Sequence, residues 1–176
     1  MRRLIYIRVI HNFVESKISK KCALDKEIER FWDIVRKELE KIGLDYRKVR
    51  LYNDTVCGGQ RIAMQAFRNI AKQGSPNAKT VLWLVEKGAK LMMTENPFFI
   101  LFLDKHKFGN KYLSGIRKRR DKYVAGRIAR TLRKGETGIL IMGCNHSVDD
   151  YLPKDIKVLY LPKSDAYLAR LLKKVS

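Results

Sequence analysis

The stretch "LRKGETGILIMGCNH" (residues 132–146) joins the end of a predicted helix to an apolar strand through a basic pair and a glycine. Glycine suits the left-handed position after a helix, and cations suit the negative end of the helix dipole. The same order of signals occurs in "LEKIGLDYRKVRLYND" (39–54) and "VEKGAKLMMTE" (85–95). Such joints predict one α/β domain over residues 1–176, with a mainly parallel central sheet of about five strands flanked by helices.

Apolar periodicity and turn signals give the approximate bounds of the elements. The predicted strands are 4–10, 49–52, 90–94, 137–142 and 158–161. The predicted helices are 24–42, 59–72, 77–87, a short one from 97 to 103, and one from 115 to about 134 that Ser114 caps. A loop precedes Ser114, and a last amphipathic helix is capped by Ser164 or Asp165.

The composition is that of an ordinary globular chain of 176 residues, 45% of them hydrophobic. No apolar stretch approaches the ~20 residues that cross a bilayer, so no transmembrane segment is expected. The start "MRRLIYIRVIH" is basic and then apolar, but Arg8 interrupts it and no cleavage site follows, which favours a first strand over a signal peptide. The three cysteines include no C-x-x-C pair, so we expect reduced thiols and a cytoplasmic location.

The charge is strongly positive: 38 Lys and Arg against 18 Asp and Glu give a net charge of +20. Such a balance favours encounters with nucleic acid, phosphorylated molecules or anionic lipid. The basic residues are dispersed and no nucleic-acid-binding motif is present. Non-specific binding of nucleic acid is therefore an alternative function, and the oligomeric state is left open.

Polar residues with chemical potential follow the predicted strands. His11 follows the first, Asn53 and Asp54 the second, Glu95 the third, and Gly143-Cys144-Asn145-His146 the fourth. Parallel strands place their carboxyl ends at one edge of the sheet, where ligands of open α/β folds bind. Histidine and carboxylate together are ligands for a divalent metal ion or an acid/base pair. Each residue alone also fits an ordinary turn.

The helix before the fourth strand adds cations to this edge. A helix that joins tightly to a parallel strand runs antiparallel to it, so its first turns lie near the strand's carboxyl end. That places Arg117, Lys118, Arg119 and Arg120 near the predicted crevice. A guanidinium there could hold a carboxylate or phosphate at two points, although a solvated basic face is as good an explanation.

The stretch "NDTVCGGQR" (53–61) is a second, weaker candidate. Gly58 and Gly59 precede a predicted helix, whose first N–H groups can cradle an anion and can make the Cys57 thiol nucleophilic. A tight turn with a small buried cysteine explains the same residues. The pattern is neither a Walker loop nor a dinucleotide fingerprint.

The stretch from Arg120 to His146 resembles the C-terminal signature of the TraB/TIKI/ChaN-like superfamily: Arg followed by Asn or Asp, a small residue, a helix, and a strand ending in G-x-x-H. Here these are Arg120-Asp121, Ala125 and Gly143-x-x-His146. His11 and Glu95 match the family's histidine after the first strand and its glutamate after a central strand. The glycine that usually precedes the first histidine is absent. The resemblance implies an α/β fold with a His, Glu, Arg and His site. Some members are described as metal-dependent proteases, others as haem- or pheromone-related proteins.

Three functions follow as hypotheses. In the first, the protein is a metal-dependent hydrolase for an anionic, peptide or ester substrate. His11 and His146 would hold a divalent ion of the zinc or manganese class with help from Asp54 or Asp149. Glu95 would be the general base, and Arg120 would stabilise the oxyanion. Arg119, Gly58 and Gly59 would contribute anion binding. The second is a basic binding protein for nucleic acid or another polyanion. The third is a thiol hydrolase using Cys57 or Cys144.

Overall fold

A single sheet of five parallel strands forms the centre of the computed structural model, which describes residues 1–10, 25–54, 56–96 and 110–175. The order across the sheet is β3-β2-β4-β1-β5. Every pairing is parallel, so the predicted α/β class and parallel sheet are confirmed. The strands are β1 (Arg2–Val9), β2 (Val49–Asn53), β3 (Lys90–Met92), β4 (Thr137–Gly143) and β5 (Ile156–Tyr160).

Five α-helices accompany the sheet within the described ranges: α1 (Asp25–Ile42), α2 (Gln60–Lys72), α3 (Pro76–Glu86), α4 (Asn110–Thr131) and α5 (Pro162–Val175). Short 3-10 turns lie at Tyr46–Lys48 and Val148–Tyr151. None of the helices in these ranges is both long and apolar enough to span a membrane.

Two predicted helix starts are wrong. Helix α4 begins at Asn110, so Ser114 lies inside the helix and does not cap it, and residues 110–114 are helix rather than loop. Helix α5 begins at Pro162, ahead of Ser164 and Asp165. Proline fits a first helical position because its fixed φ suits the helix and no N–H is needed there. The helix predicted at 97–103 lies outside the described residues.

The joints that predicted the parallel sheet have the expected backbone. The glycines at the three joints all have positive φ: 66° at Gly43, 110° at Gly88 and 80° at Gly135. This left-handed conformation is open to glycine without steric cost. Gly43 and Gly88 use it to turn the chain out of α1 and α3. The predicted end of α4 near residue 134 is wrong, since the helix ends at Thr131 and Gly135 lies in the turn that follows. The alternation of helix and strand therefore follows from signals local to each joint.

The sheet is covered on both sides. Ile5 and Ile7 of β1 face a core formed with α1, α2, α3 and α5. Leu4 and Tyr6 of the same strand face α4 and the turn at Val148–Tyr151. Period-two alternation thus puts two cores on one strand, as a fully covered parallel sheet requires.

Helix α1 differs from its predicted stripe at one end. Ile28, Phe31, Trp32, Val35 and Leu39 are buried, but Ile42 is 44% exposed. The core stripe therefore ends one turn before the helix does. Ile42 lies instead on a neighbouring face of α1, next to an open groove.

The strand order predicts a crevice at the carboxyl edge between β2 and β4. From β2 the chain proceeds to β3 through α2 and α3, on the face of the first core. From β4 it proceeds in the opposite direction to β5, past Val148 on the other face. Connections that diverge from adjacent strands leave a ligand-binding crevice between them. Asp54 and Gly143 lie at that point.

Gly138 in β4 has no room for a side chain, not even a methyl group. An added Cβ would lie 2.5 Å from Leu4 Cδ1, 3.3 Å from Leu132 Cδ2 and 3.4 Å from Tyr52 Cε2. Because these side chains are buried in the second core, we expect Gly138→Ala to lower the free energy of unfolding by about 1–3 kcal/mol in a denaturant titration.

The matched control is Gly115→Ala on the exposed side of α4, where an added Cβ meets nothing within 4 Å. There alanine should raise stability by about 0.5–1 kcal/mol, since glycine is a poor helix former. Equal effects at both positions would contradict the close approach at Gly138.

An ion pair between Arg50 and Glu136 at the amino edge of the sheet should give a pH-dependent term in stability. The Arg50 guanidinium holds the pKa of the Glu136 carboxyl below its ordinary value, and the Arg133 backbone N–H lowers it further. A lowered folded-state pKa contributes stability above the unfolded value of 4.5, and this is lost as the pH falls through the folded value. We expect the Glu136→Gln variant to lose less stability than the parent on acidification below that value.

The control is Glu29→Gln, which removes an exposed carboxyl of α1. Its acid unfolding profile should follow that of the parent. If Glu136→Gln also follows the parent profile, the ion pair contributes nothing to acid stability.

Candidate functional site

The carboxyl ends of β2, β4 and β1 are tied together by hydrogen bonds beyond the ladders. The Asp54 backbone N–H donates to Ile141 O (3.0 Å), and Gly143 N–H donates to Asp54 Oδ2 (3.2 Å). The Cys144 N–H donates to Val9 O at 2.8 Å. Asp54 therefore has a structural contact at the crevice, and one of its oxygens is directed at the end of β4.

A second set of hydrogen bonds, made by buried polar residues, connects the ends of β2 and β3. Asn53 N–H donates to Thr94 Oγ1 (3.3 Å), and the Asn53 side-chain amide donates to Asn77 Oδ1 at 3.1 Å. The backbone N–H groups of Thr94 and Glu95 both donate to Val56 O at 3.0 Å. Buried polar groups need such partners, and here they fix the backbone from which the Glu95 side chain projects.

Glu95 and Arg120 form a buried bidentate ion pair. Arg120 Nη2 donates to Glu95 Oε1 at 2.5 Å, and Arg120 Nε donates to Glu95 Oε2 at 3.3 Å. The side chains are 0% and 13% exposed for Glu95 and Arg120, respectively. A fork-to-carboxylate contact of this kind is strong and geometrically specific. It fixes the first half of α4 against the end of β3.

The next residue of α4 holds the predicted histidine. Asp121 Oδ1 lies 2.5 Å from His146 Nδ1, and Asp121 Oδ2 accepts from the Ser147 backbone N–H at 3.1 Å. The side chains are 5% and 10% exposed for Asp121 and His146. When Nδ1 carries the proton of a neutral ring, it donates to Asp121 and the lone pair lies on Nε2. No hydrogen bond to Nε2 comes from the described part of the chain.

The main chain at His146 is held from the opposite side by β1. The Tyr6 hydroxyl donates to His146 O at 3.1 Å. Burial raises the pKa of the Tyr6 phenol above its ordinary range, and the Asp149 and Asp121 carboxylates raise it further. The phenol consequently stays protonated and remains a donor. His146 N–H also donates to Gly143 O at 3.1 Å, which closes the turn after β4.

The structure places the predicted site residues in different parts of the fold. Four of them lie along the carboxyl edge. Glu95 contacts Arg120, and His146 contacts Asp121, the next residue of α4. Asp54 accepts a hydrogen bond from the end of β4. His11 lies outside the described residues. Arg119 is an exposed residue of α4.

Gly58 and Gly59 form the turn before α2. Gly58 has a φ of +77°, and Gly59 is the residue before the first turn of α2, with its carbonyl accepting from Ile62 and Ala63 N–H. Cys57 and Cys144 are half-buried free thiols. The glycines provide the turn that was expected of them, and their anion-binding role stays a prediction.

Two residues that the structure places at the site were not predicted from the sequence as site residues. The sequence places Asp121 in the Arg120-Asp121 signature but assigns it no role. A carboxylate on a helix that joins tightly to a strand ending in histidine is the signal that could identify it. Asn77 was assigned only as a helix start, and no local signal indicates that it accepts from Asn53. The first omission matters more, because Asp121 orients the imidazole.

The comparisons with known proteins give no further residues to add to this geometry. No protein-family model, curated protein or solved structure matches the chain. The features that bear on function are the pairs Glu95–Arg120 and Asp121–His146 and the exposed cations of α4 beside them.

Proposed function

We propose that the protein is a metal-dependent hydrolase of TraB/ChaN-like type, acting on a peptide or ester bond at the carboxyl edge of the sheet. The observation that carries the proposal is the contact between Asp121 and His146 Nδ1. A carboxylate that fixes one ring nitrogen and leaves the other available is the usual support of a metal-binding histidine, and equally of a general base. The free cysteines Cys57 and Cys144 support the accompanying proposal of a cytoplasmic location.

The residues present fit a metal ion in part. His146 has the orienting partner that a ligand needs, and Asp54 lies at the crevice. Within residues 1–10, 25–54, 56–96 and 110–175, however, no three His, Cys, Asp or Glu side chains are grouped so as to hold an ion. A complete site would need His11 as well. When bound, a zinc- or manganese-class ion would supply Lewis-acid polarisation of the scissile carbonyl.

The protein residues would then orient the imidazole of His146 and stabilise the oxyanion. His146 presents Nε2 to the ion or to the attacking water, and Asp121 keeps it in that tautomer. Glu95 uses two N–H donors of Arg120, and a guanidinium has five, so Arg120 can still donate to an oxyanion. This geometry favours a positioning role for Glu95. Its role as general base remains a prediction, which requires the ion pair to open.

The experiment is metal content and metal affinity of purified, nuclease-treated protein, followed by hydrolysis screens with peptides and esters. The parent should bind one zinc, manganese, cobalt or iron ion. Both His146→Ala and His11→Ala/His146→Ala should lose the ion while keeping the circular dichroism spectrum of the parent. Asn145→Ala, an exposed neighbour in the same turn, should bind like the parent. No binding by the parent for any of the four metals would end the metal mechanism.

A polyanion-binding function is the second candidate, and the exposed run Arg117, Lys118 and Arg119 in the first half of α4 favours it. These cations add to the net charge of +20 beside the carboxyl edge. Phosphate contacts release counterions, so affinity for single-stranded nucleic acid should fall steeply with salt.

Replacing this run by glutamine should reduce the slope of log affinity against log salt by about 0.7 for each phosphate contact that is lost. The control replaces Arg68, Lys72 and Lys79, three exposed cations of α2 and α3, by glutamine. An equal reduction in both variants would indicate attraction by net charge without a defined surface.

A further inference from the structure

An open apolar groove lies between α1 and β5, on the face of the first core and away from the carboxyl-edge site. It has a volume of about 550 Å³. Its floor includes Ile5 and Leu159, which are paired across β1 and β5. The register aligns Tyr160, the last residue of β5, with Tyr6 in the middle of β1. The groove therefore lies beside the amino half of β1, whereas the candidate site follows its last residue.

The wall of this α1–β5 groove is a second stripe of α1. Ile34, Lys37, Glu38, Lys41 and Ile42 all line it. They follow one another at positions i, i+3, i+4, i+7 and i+8, which is one face of a helix. Ile42 is 44% exposed and Leu44 is half-buried beside it. The sequence thus gives α1 a core face and a separate face that is apolar at its base and charged at its rim.

The rim of the groove carries four cations. Lys37, Lys41, Lys163 and Arg3 line it and are exposed. Among the described residues none of the four makes an ion pair, and Arg3 reaches only Thr137 Oγ1, at 3.5 Å.

Glu38 is the one carboxylate among the described residues that line the groove, and both of its oxygens already accept hydrogen bonds. Glu38 accepts from the Lys163 and Ser164 backbone N–H groups at 3.0 and 2.8 Å, and from the Ser164 hydroxyl at 2.6 Å. It thereby caps the start of α5. The rim consequently offers positive charge to a ligand, with its negative group already used to join α1 to α5.

We propose that the α1–β5 groove binds a free linear amphiphile: an aliphatic chain with one anionic head group, such as a carboxylate or a phosphate. The chain would lie against Ile34, Ile42 and Leu159, and the head would lie among the rim cations. The volume is within the roughly 300–1,000 Å³ of small-molecule sites, which are mostly apolar with a few polar groups that fix orientation. A folded acidic protein would be expected to need a larger contact area than this groove provides.

The test is calorimetric titration of the full chain with sodium dodecanoate and dodecyl phosphate below their micelle concentrations. Dodecyltrimethylammonium, of the same chain length and opposite charge, is the charge control. We expect saturable one-to-one binding of both anions, with affinity rising about fourfold per methylene from octanoate to dodecanoate. The cation should bind at least tenfold more weakly.

The variants test the apolar lining of the groove and the cations at its rim separately. Ile42→Asp, at an already exposed position, and Lys37→Gln/Lys41→Gln should each weaken dodecanoate binding at least tenfold. Their controls are Ile62→Asp, at a position that is 69% exposed on α2, and Lys72→Gln/Lys79→Gln, which should bind like the parent. Circular dichroism establishes that each variant is folded.

Five results would overturn the proposal. The first four are no saturable binding by the parent, equal affinity for the cationic amphiphile, equal weakening in the control variants, and binding only to anionic lipid vesicles. The last of these four would assign the cations to a membrane surface. An affinity for an acidic amphipathic peptide above that for dodecanoate would assign the groove to a protein partner and overturn it as well.

Discussion

Replacing Glu95 by alanine should lower the free energy of unfolding by about 3–5 kcal/mol, because it leaves the Arg120 guanidinium buried without its carboxylate. Both Glu95 oxygens accept from Arg120, and the Arg120 side chain is only 13% exposed. An uncompensated charge there cannot regain its hydration. Denaturant titration of the parent and the variant measures the loss directly.

Two further variants separate the charge from the volume of the side chain. Glu95→Leu with Arg120→Met removes both charges together, and it should recover most of the stability, since an apolar pair of similar volume needs no compensation. Asp33→Ala breaks the exposed Arg36–Asp33 pair of α1 and should cost at most about 1 kcal/mol. If Glu95→Ala costs no more than Asp33→Ala, the bidentate pair does not stabilise the carboxyl edge.

Asp121→Asn should weaken metal affinity, or the rate of hydrolysis where a substrate is known, by about 10–100-fold, because it changes the tautomer of His146. The carbonyl oxygen of the substituted side chain can accept from Ser147 N–H, as the Asp121 carboxylate does. The amide nitrogen of the same side chain then faces Nδ1 as a donor. The ring proton would move to Nε2, and the lone pair needed by an ion or a water would be lost.

The readout for this variant must distinguish positioning from folding. Zinc affinity by chelator competition should fall, while the free energy of unfolding stays within about 1 kcal/mol of the parent, as the hydrogen-bond count is nearly preserved. Asp150→Asn, which changes an exposed carboxylate near the same turn, should bind zinc like the parent. Unchanged affinity in Asp121→Asn beside a complete loss in His146→Ala would show that the carboxylate does not govern the imidazole.

The parallel architecture was predictable because its signals are local. Gly43 directly follows α1, and Gly88 follows the last turn of α3, so each of these two signals lies beside the helix that it ends. Gly135 lies in the turn between Thr131, the last residue of α4, and β4. Strand order was not predictable in the same way. That β1 lies between β4 and β5 depends on pairings such as Arg3 with Thr137, which no local pattern encodes.

The location of the site at the carboxyl edge of the sheet was predictable from the sequence. The contacts that its side chains make with α4 were not. Strand ends gave Glu95 and His146, since parallel strands bring their carboxyl ends together. Which residues of α4 contact them depends on the rotation of the helix about its axis. Arg120 and Asp121 differ by about 100° in that rotation, and packing of Val124 and Ile128 into the second core fixes it. Pattern reasoning has no access to that packing.

The position of β1 in the sheet has a consequence for synthesis of the chain. Both neighbours of β1, namely β4 and β5, belong to the last third of the sequence. At 5–20 residues per second, β1 waits on the order of ten seconds on the ribosome before either partner emerges. Its run Leu4–Ile7, fully buried in the finished fold, has no native strand to pair with in that interval. Nascent chains of this protein should therefore expose an unpaired apolar strand until the carboxyl third is released.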